Sequence, residues 1–139
     1  MQKIGQHQPI ELKRSVIQGW GVFAVEDIQT GVSIECQPGI IVPMEILRMS
    51  YFIMMSDGVS PDSFKLDQYG IDWPNDKVFI PLGWVGLYNH SDDPSAEFYK
   101  DEQNELVGIR SVRDIVKGEE ITISYGPTWW ERKDYLQKA

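Results

Sequence analysis

Turn signals recur along this chain so often that only short elements fit between most of them. They fall at Gln18-Gly19, Thr30-Gly31, Pro38-Gly39, Asp57-Gly58, Asp92-Asp93-Pro94, Lys117-Gly118 and Gly126-Pro127. Between them lie runs rich in β-branched residues: Val32 to Ile34, Lys77 to Ile80, Leu106 to Ile109 and Ile121 to Ser124. Short strands between frequent turns predict a mainly β fold. Two stretches are predicted helical. Met44 to Met55 is apolar with few breakers, and Pro43 suits its first turn. Thr128-Trp129-Trp130-Glu131 fits a capping box that opens a helix running to about Gln137. This order of elements fits no βαβ plan.

The length, 139 residues, is that of one domain, and such a chain can bury most of its apolar surface. Cys36 is the single cysteine. One thiol forms neither an internal disulfide nor a cysteine-based zinc cluster, and it fits a reducing compartment. Met1 to Ile10 lacks a basic start followed by an apolar run, so no signal peptide is expected. No run of about 18 apolar residues predicts a membrane span. The expected location is the cytoplasm. The net charge is −8, from 13 Lys and Arg against 21 Asp and Glu. An acidic surface repels phosphate backbones, which argues against direct nucleic-acid binding. It attracts a basic segment of a partner protein.

Three clusters carry chemistry. Gly19-Trp20-Gly21-Val22-Phe23-Ala24 matches the G-x-G-x-x-A dinucleotide pattern, but that pattern requires a helix at its glycines. Here Val22 to Val25 reads as a strand, so the dinucleotide reading fails on context. What remains is a glycine pair that lets backbone approach a ligand closely, or simply turns tightly before a strand. The second cluster is Asn89-His90-Ser91-Asp92-Asp93-Pro94. Adjacent Asn89 and His90 diverge in extended backbone, which disfavours a shared metal and favours hydrogen bonding. The third is Lys117-Gly118-Glu119-Glu120-Ile121-Thr122-Ile123-Ser124-Tyr125-Gly126, a turn and strand ending at a tyrosine.

Together, in this order, the clusters resemble a SET domain. Arg14 to Ala24 with Asp27-Ile28 and Gly31 is similar to the family's opening. Asn89-His90-Ser91 with Pro94 resembles its central signature. Arg113-Asp114-Ile115, Gly118-Glu119-Glu120-Ile121-Thr122 and Tyr125-Gly126 resemble its closing motif. The resemblance covers roughly 11–42 and 83–130, and leaves about 43–82 as the family's variable insert within a single 1–139 domain. It implies a β-clip of short sheets, a C-terminal pseudoknot and a short C-terminal helix. It also implies a protein-lysine methyltransferase using S-adenosyl-L-methionine. Small free-standing members of bacterial, phage or other viral type are the expected kin, which would place a viral protein in the host-cell interior. Edges without flanking domains leave room for a homodimer.

The resemblance also implies roles. Gly19, Trp20 and Gly21 would hold the cofactor's methionine end, with Asn89 and His90 adding side-chain and backbone contacts. Trp129 or Trp130 would cover the adenine. Tyr69, a tyrosine from the insert, is grouped with this set. Tyr125 would be the active-site tyrosine, and Tyr88, Phe98 and Ile123 would line the lysine channel. Two positions depart from the family pattern: Ser124 stands where Asp is familiar, and Ser95 where Asn is familiar. The cysteine-rich zinc module of many relatives cannot form here, and no metal is expected. The alternative to an enzyme is a catalytically inactive SET-like module that binds protein or peptide.

Overall fold

A computed structural model describes residues 3–56, 58 and 70–125. The strands are β1 (Gly5–Gln6), β2 (Ile10–Arg14), β3 (Trp20–Ala24), β4 (Ser33–Pro43), β5 (Ile71–Trp73), β6 (Lys77–Pro81), β7 (Asn89–His90), β8 (Ala96–Asp101), β9 (Leu106–Ser111) and β10 (Glu120–Ile123). Among the described residues, an α-helix, α1 (Met44–Ser56), follows β4, and a 3-10 turn spans Val85–Leu87. The chain divides into two compact units, 1–39 with 81–124, and 40–80 with 125–139.

The first unit is built on two sheets. In one, β1 pairs with β4, β4 with β9, and β9 with β8. In the other the order is β2-β3-β10-β7. The alternation of apolar residues along these strands turns Val22, Ala24, Ile34, Val107, Ile109, Ile121 and Ile123 into a buried core. β10 runs antiparallel to β3 and parallel to β7, with Ile121 opposite Val22 and Thr122 opposite Asn89. A parallel neighbour needs a long connection, and here it is the whole β8–β9 hairpin and its loops. Ile28 and Ile115 exchange two backbone hydrogen bonds of 2.8 Å, which close the loop leading into β10.

The second unit holds α1 and the β5–β6 hairpin. α1 begins directly after Pro43, and its first amide donates to Asp76 O at 2.9 Å. Glu45 sits in the first turn and pairs with Arg48 at 2.7 Å. Leu47 and Val78 are fully buried against each other, with Val42, Met44 and Ile80 around them. Trp73 stacks on Phe79 at 4.8 Å between centroids. The hairpin turn puts Asn75 and Asp76 at positive φ, which short polar side chains tolerate.

The predicted runs at 77–80 and 106–109 fall in β6 and β9, the run at 121–124 falls in β10 except for Ser124, and the predicted helix at 44–55 is α1. Among the described residues, the turn signal at Pro38-Gly39 did not become a turn. β4 runs straight through Pro38-Gly39. Pro38 is the last β4 residue paired with β9, and its carbonyl accepts from Leu82 N at 3.0 Å. A proline that donates nothing is tolerated where a strand changes partners. The expected C-terminal helix at 128–137 and the pseudoknot segment after Tyr125 lie outside the described residues.

Candidate functional site

The turn from β2 into β3 is held by its own backbone and one serine. Ser15 N donates to Gly19 O at 2.8 Å, and Ile17 N donates to Ser15 Oγ at 2.9 Å. Gly19 has φ +50, with open space where a Cβ would lie. The left-handed backbone there is one that glycine adopts without strain. Val16 is fully exposed and Trp20 is 50 % exposed. The Arg14 guanidinium covers the Trp20 ring at 4.5 Å.

Asn89 ties this turn to the sheet. Its Nδ2 donates to Gln18 O at 3.1 Å, to Trp20 O at 3.2 Å and to Glu120 Oε2 at 2.8 Å. All three partners only accept, so the amide nitrogen faces the turn and Oδ1 faces away. Glu120 accepts a second bond, from Ser15 Oγ to Oε1 at 2.6 Å. Its carboxylate fills the space that a Cβ at Gly21 would take. A side chain there would force the carboxylate to shift. Sequence reasoning placed Gly19, Gly21 and Asn89 but missed Glu120, Ser15 and Gln18. No local signal marks Glu120, which opens β10 directly after a second acid, Glu119. Glu119 pairs with Arg113 at 2.7 Å, and this bond holds its carboxyl below the usual range.

A second carboxylate lies inside the core of the same unit. Glu35, at 0 % exposure, accepts from Tyr88 OH at 2.8 Å, from Trp84 N at 2.9 Å and from Gln37 Nε2 at 2.9 Å. Burial first, and then the Glu35 charge, push the Tyr88 hydroxyl well above its ordinary value. Gly83, at φ +64, lies so close to Gln37 that a Cβ would come within 2.5 Å of its amide. This knot anchors the 82–88 loop immediately before Asn89 and His90.

Among the predicted channel residues, Tyr88 and Ile123 are each 1 % exposed and Phe98 is half-buried. His90 Nε2 lies 3.0 Å from Asp92 Oδ1. Ser91 N donates to Ile123 O at 2.9 Å, which pins the turn after β7 to the end of β10. Ser95 is fully buried, and its Oγ accepts from Thr122 N at 3.1 Å. The small side chain at this departure from the family pattern thus holds β10 by its backbone. Ser124 is exposed. Tyr125 follows it, half-buried, at the start of the second unit's last segment. Tyr69, Trp129 and Trp130 lie outside the described residues.

The family profile of the SET domain matches residues 19–126. The chain belongs to the SET domain family. Histone-lysine N-methyltransferase, H3 lysine-37 specific, of Schizosaccharomyces pombe is 28 % identical over 124 residues, spanning 88 % of this chain and 76 % of that protein. The variant-silencing SET domain-containing protein of Plasmodium falciparum is 32 % identical over 84 % of this chain but 5 % of its own length. Histone-lysine N-methyltransferase, H3 lysine-4 specific, of Yarrowia lipolytica is 29 % identical over 85 % of this chain and 10 % of its own length. A crystal structure of a Plasmodium falciparum protein described as a candidate histone methyltransferase superposes with TM-score 0.64 at 28 % identity, covering 89 % of this chain and 98 % of that one. In this SET domain the matched region takes in the glycine turn, Asn89, Glu120 and Tyr125.

Proposed function

We propose that this SET domain is a protein-lysine methyltransferase drawing its methyl group from S-adenosyl-L-methionine. The observation that carries the reading is the Asn89 clamp on Gln18 O and Trp20 O, which presents the Gly19–Gly21 backbone as a preformed ligand edge.

The residues fit such a ligand. Open space lies over Gly19, Asn89 Oδ1 remains an acceptor for an ammonium, and Trp20 offers an exposed ring. When bound, S-adenosylmethionine supplies an electrophilic methyl on a sulfonium, and transfer leaves the electron pair of the broken C–S bond on sulfur as a neutral thioether. Gly19, Trp20, Gly21, Asn89 and His90 would hold that ligand; Trp129 or Trp130 would cover its adenine, and Tyr69 would add a contact from the insert. The lysine must arrive as the free amine, against an ordinary pKa of about 10.4. Apolar surroundings such as Ile123 and Phe98 disfavour the ammonium and assist that loss. The chain's main contribution is alignment. The Tyr125 hydroxyl orients the amine and methyl group; it is not a general base, because a tyrosine pKa of about 10 makes that costly near neutral pH. The net charge of −8 favours a substrate lysine in a basic protein segment.

Purified protein with labelled S-adenosylmethionine, core histones and a bacterial lysate tests the reading, with Tyr125→Phe alongside. Label on lysine that depends on Tyr125 is the expected result. Absence of cofactor binding by calorimetry would sink it. The exposed Ser124, in place of an acidic residue, favours a second reading: a SET module that binds peptide without methylating it. Intact cofactor binding with no label in any pool would favour that reading.

A further inference from the structure

Glu120 has no role in the roles assigned so far, yet three chain segments meet on its carboxylate. Ser15 reaches Oε1 from the β2–β3 turn, and Asn89 reaches Oε2 from β7. The Gly21 backbone lies against it from β3. Among the described residues, none of the ion pairs involves Glu120. Its two neutral donors leave acceptor capacity unused, because a carboxylate offers about four lone-pair sites. A negative charge that is neither neutralised nor saturated is an unusual thing to place under a glycine turn.

We propose that Glu120 is a positioning residue that also makes this site prefer the charged methyl donor over its neutral thioether product. The inference rests on the methyltransferase reading above. Positioning follows from acceptor logic. A carboxylate cannot donate, so Glu120 joins Gln18 O and Trp20 O in fixing the Asn89 amide with its nitrogen inward. Charge preference follows from electrostatics. S-adenosylmethionine carries one positive charge more than S-adenosylhomocysteine, and the two differ in little else. A nearby unpaired carboxylate at a partly buried site stabilises the first and not the second. Product release is thereby eased once the sulfonium charge is gone.

Calorimetric titration of each compound into wild type, Glu120→Gln and Glu120→Asp separates these roles without relying on turnover. Gln is isosteric and retains an acceptor for Asn89, so E120Q removes chiefly the charge; its thermal melt is expected to stay near wild type. Its affinity for S-adenosylmethionine is expected to fall about fivefold, with S-adenosylhomocysteine changed by less than about twofold. E120D keeps the charge and shortens the reach. Both ligands are expected to weaken alike, which leaves their ratio intact. A loss of position alone moves both affinities together and cannot change the ratio. An E120Q ratio equal to that of wild type, or an E120D ratio that collapses, overturns the inference alone. A wild-type chain that binds neither compound overturns the methyltransferase reading and this inference with it.

Discussion

Glu35 and Glu120 lie in the same compact unit, and neither is ion-paired among the described residues. Glu35 is enclosed completely and takes three neutral donors. Glu120 is partly buried and takes two. A buried carboxylate is tolerated when its lone pairs are satisfied, and Glu35 meets that condition by gathering one strand and one loop around itself. Its acceptor capacity is spent on the fold. Glu120 keeps some of its capacity beside an exposed glycine turn. The contrast separates a carboxylate whose acceptors are filled from one with acceptor capacity to spare.

The sharpest way to break the contrast is to remove the enclosed member. Glu35→Ala strands the Tyr88 hydroxyl, the Trp84 amide and the Gln37 amide. We expect a loss of about 4 kcal/mol, read as a fall in melting temperature on the order of 10–20 °C. A loss below about 1 kcal/mol would make the knot dispensable. Gly21→Ala attacks the other member. Its methyl overlaps the Glu120 carboxylate, which must shift and disturb its bond to Asn89. We expect about 2 kcal/mol of destabilisation and at least a tenfold loss of cofactor affinity by calorimetry. If affinity survives while stability falls, Glu120 belongs with Glu35 as a structural group.

Tyr88→Phe sharpens the comparison by pH. The folded Tyr88 value is raised, so the folded state keeps a proton that the unfolded chain loses above about pH 10. Stability is fully present below that pH and is lost as pH rises toward the folded value. The phenylalanine variant should start about 1–2 kcal/mol weaker and lose this alkaline slope, a difference visible in denaturant melts between pH 9 and 11. The smallest effect belongs to the half-buried neighbour of Glu120. Glu119 has a lowered value through Arg113, so its contribution is present above the ordinary carboxylate range and lost as pH falls through the folded value. Arg113→Ala should cost less than about 1 kcal/mol near pH 7 and reduce the acid-side slope.

The motif order was legible because backbone constraints leave marks in sequence. Gly19 and Gly21 declare a special turn, and Asn89-His90 declares a polar stop after the apolar Val85 to Tyr88. β10 was legible as a β-branched run. Glu120 was not, since an acidic residue at the start of a strand looks like surface until a strand distant in sequence folds against it. Glu35 was hidden for a related reason: in Ile34-Glu35-Cys36 nothing local distinguishes a buried acid from an exposed one. Its donors come from Gln37 two residues away and from Trp84 and Tyr88 about fifty residues away. The Pro38-Gly39 signal misled because turn propensity is local, whereas β4 is kept straight by partners on either side of that point.

The place of β10 between β3 and β7 has a consequence for synthesis on the ribosome. Ser15 and Glu120 are separated by 105 positions, and Asn89 cannot be fully anchored until the later of them has emerged. A nascent chain that has delivered β2, β3 and β7 therefore has two open strand edges and an incompletely clamped glycine turn. Contacts this distant slow folding, and open edges invite pairing with other chains in the meantime. The Asn89 clamp is complete only once four residues, Glu120 to Ile123, have slotted between β3 and β7.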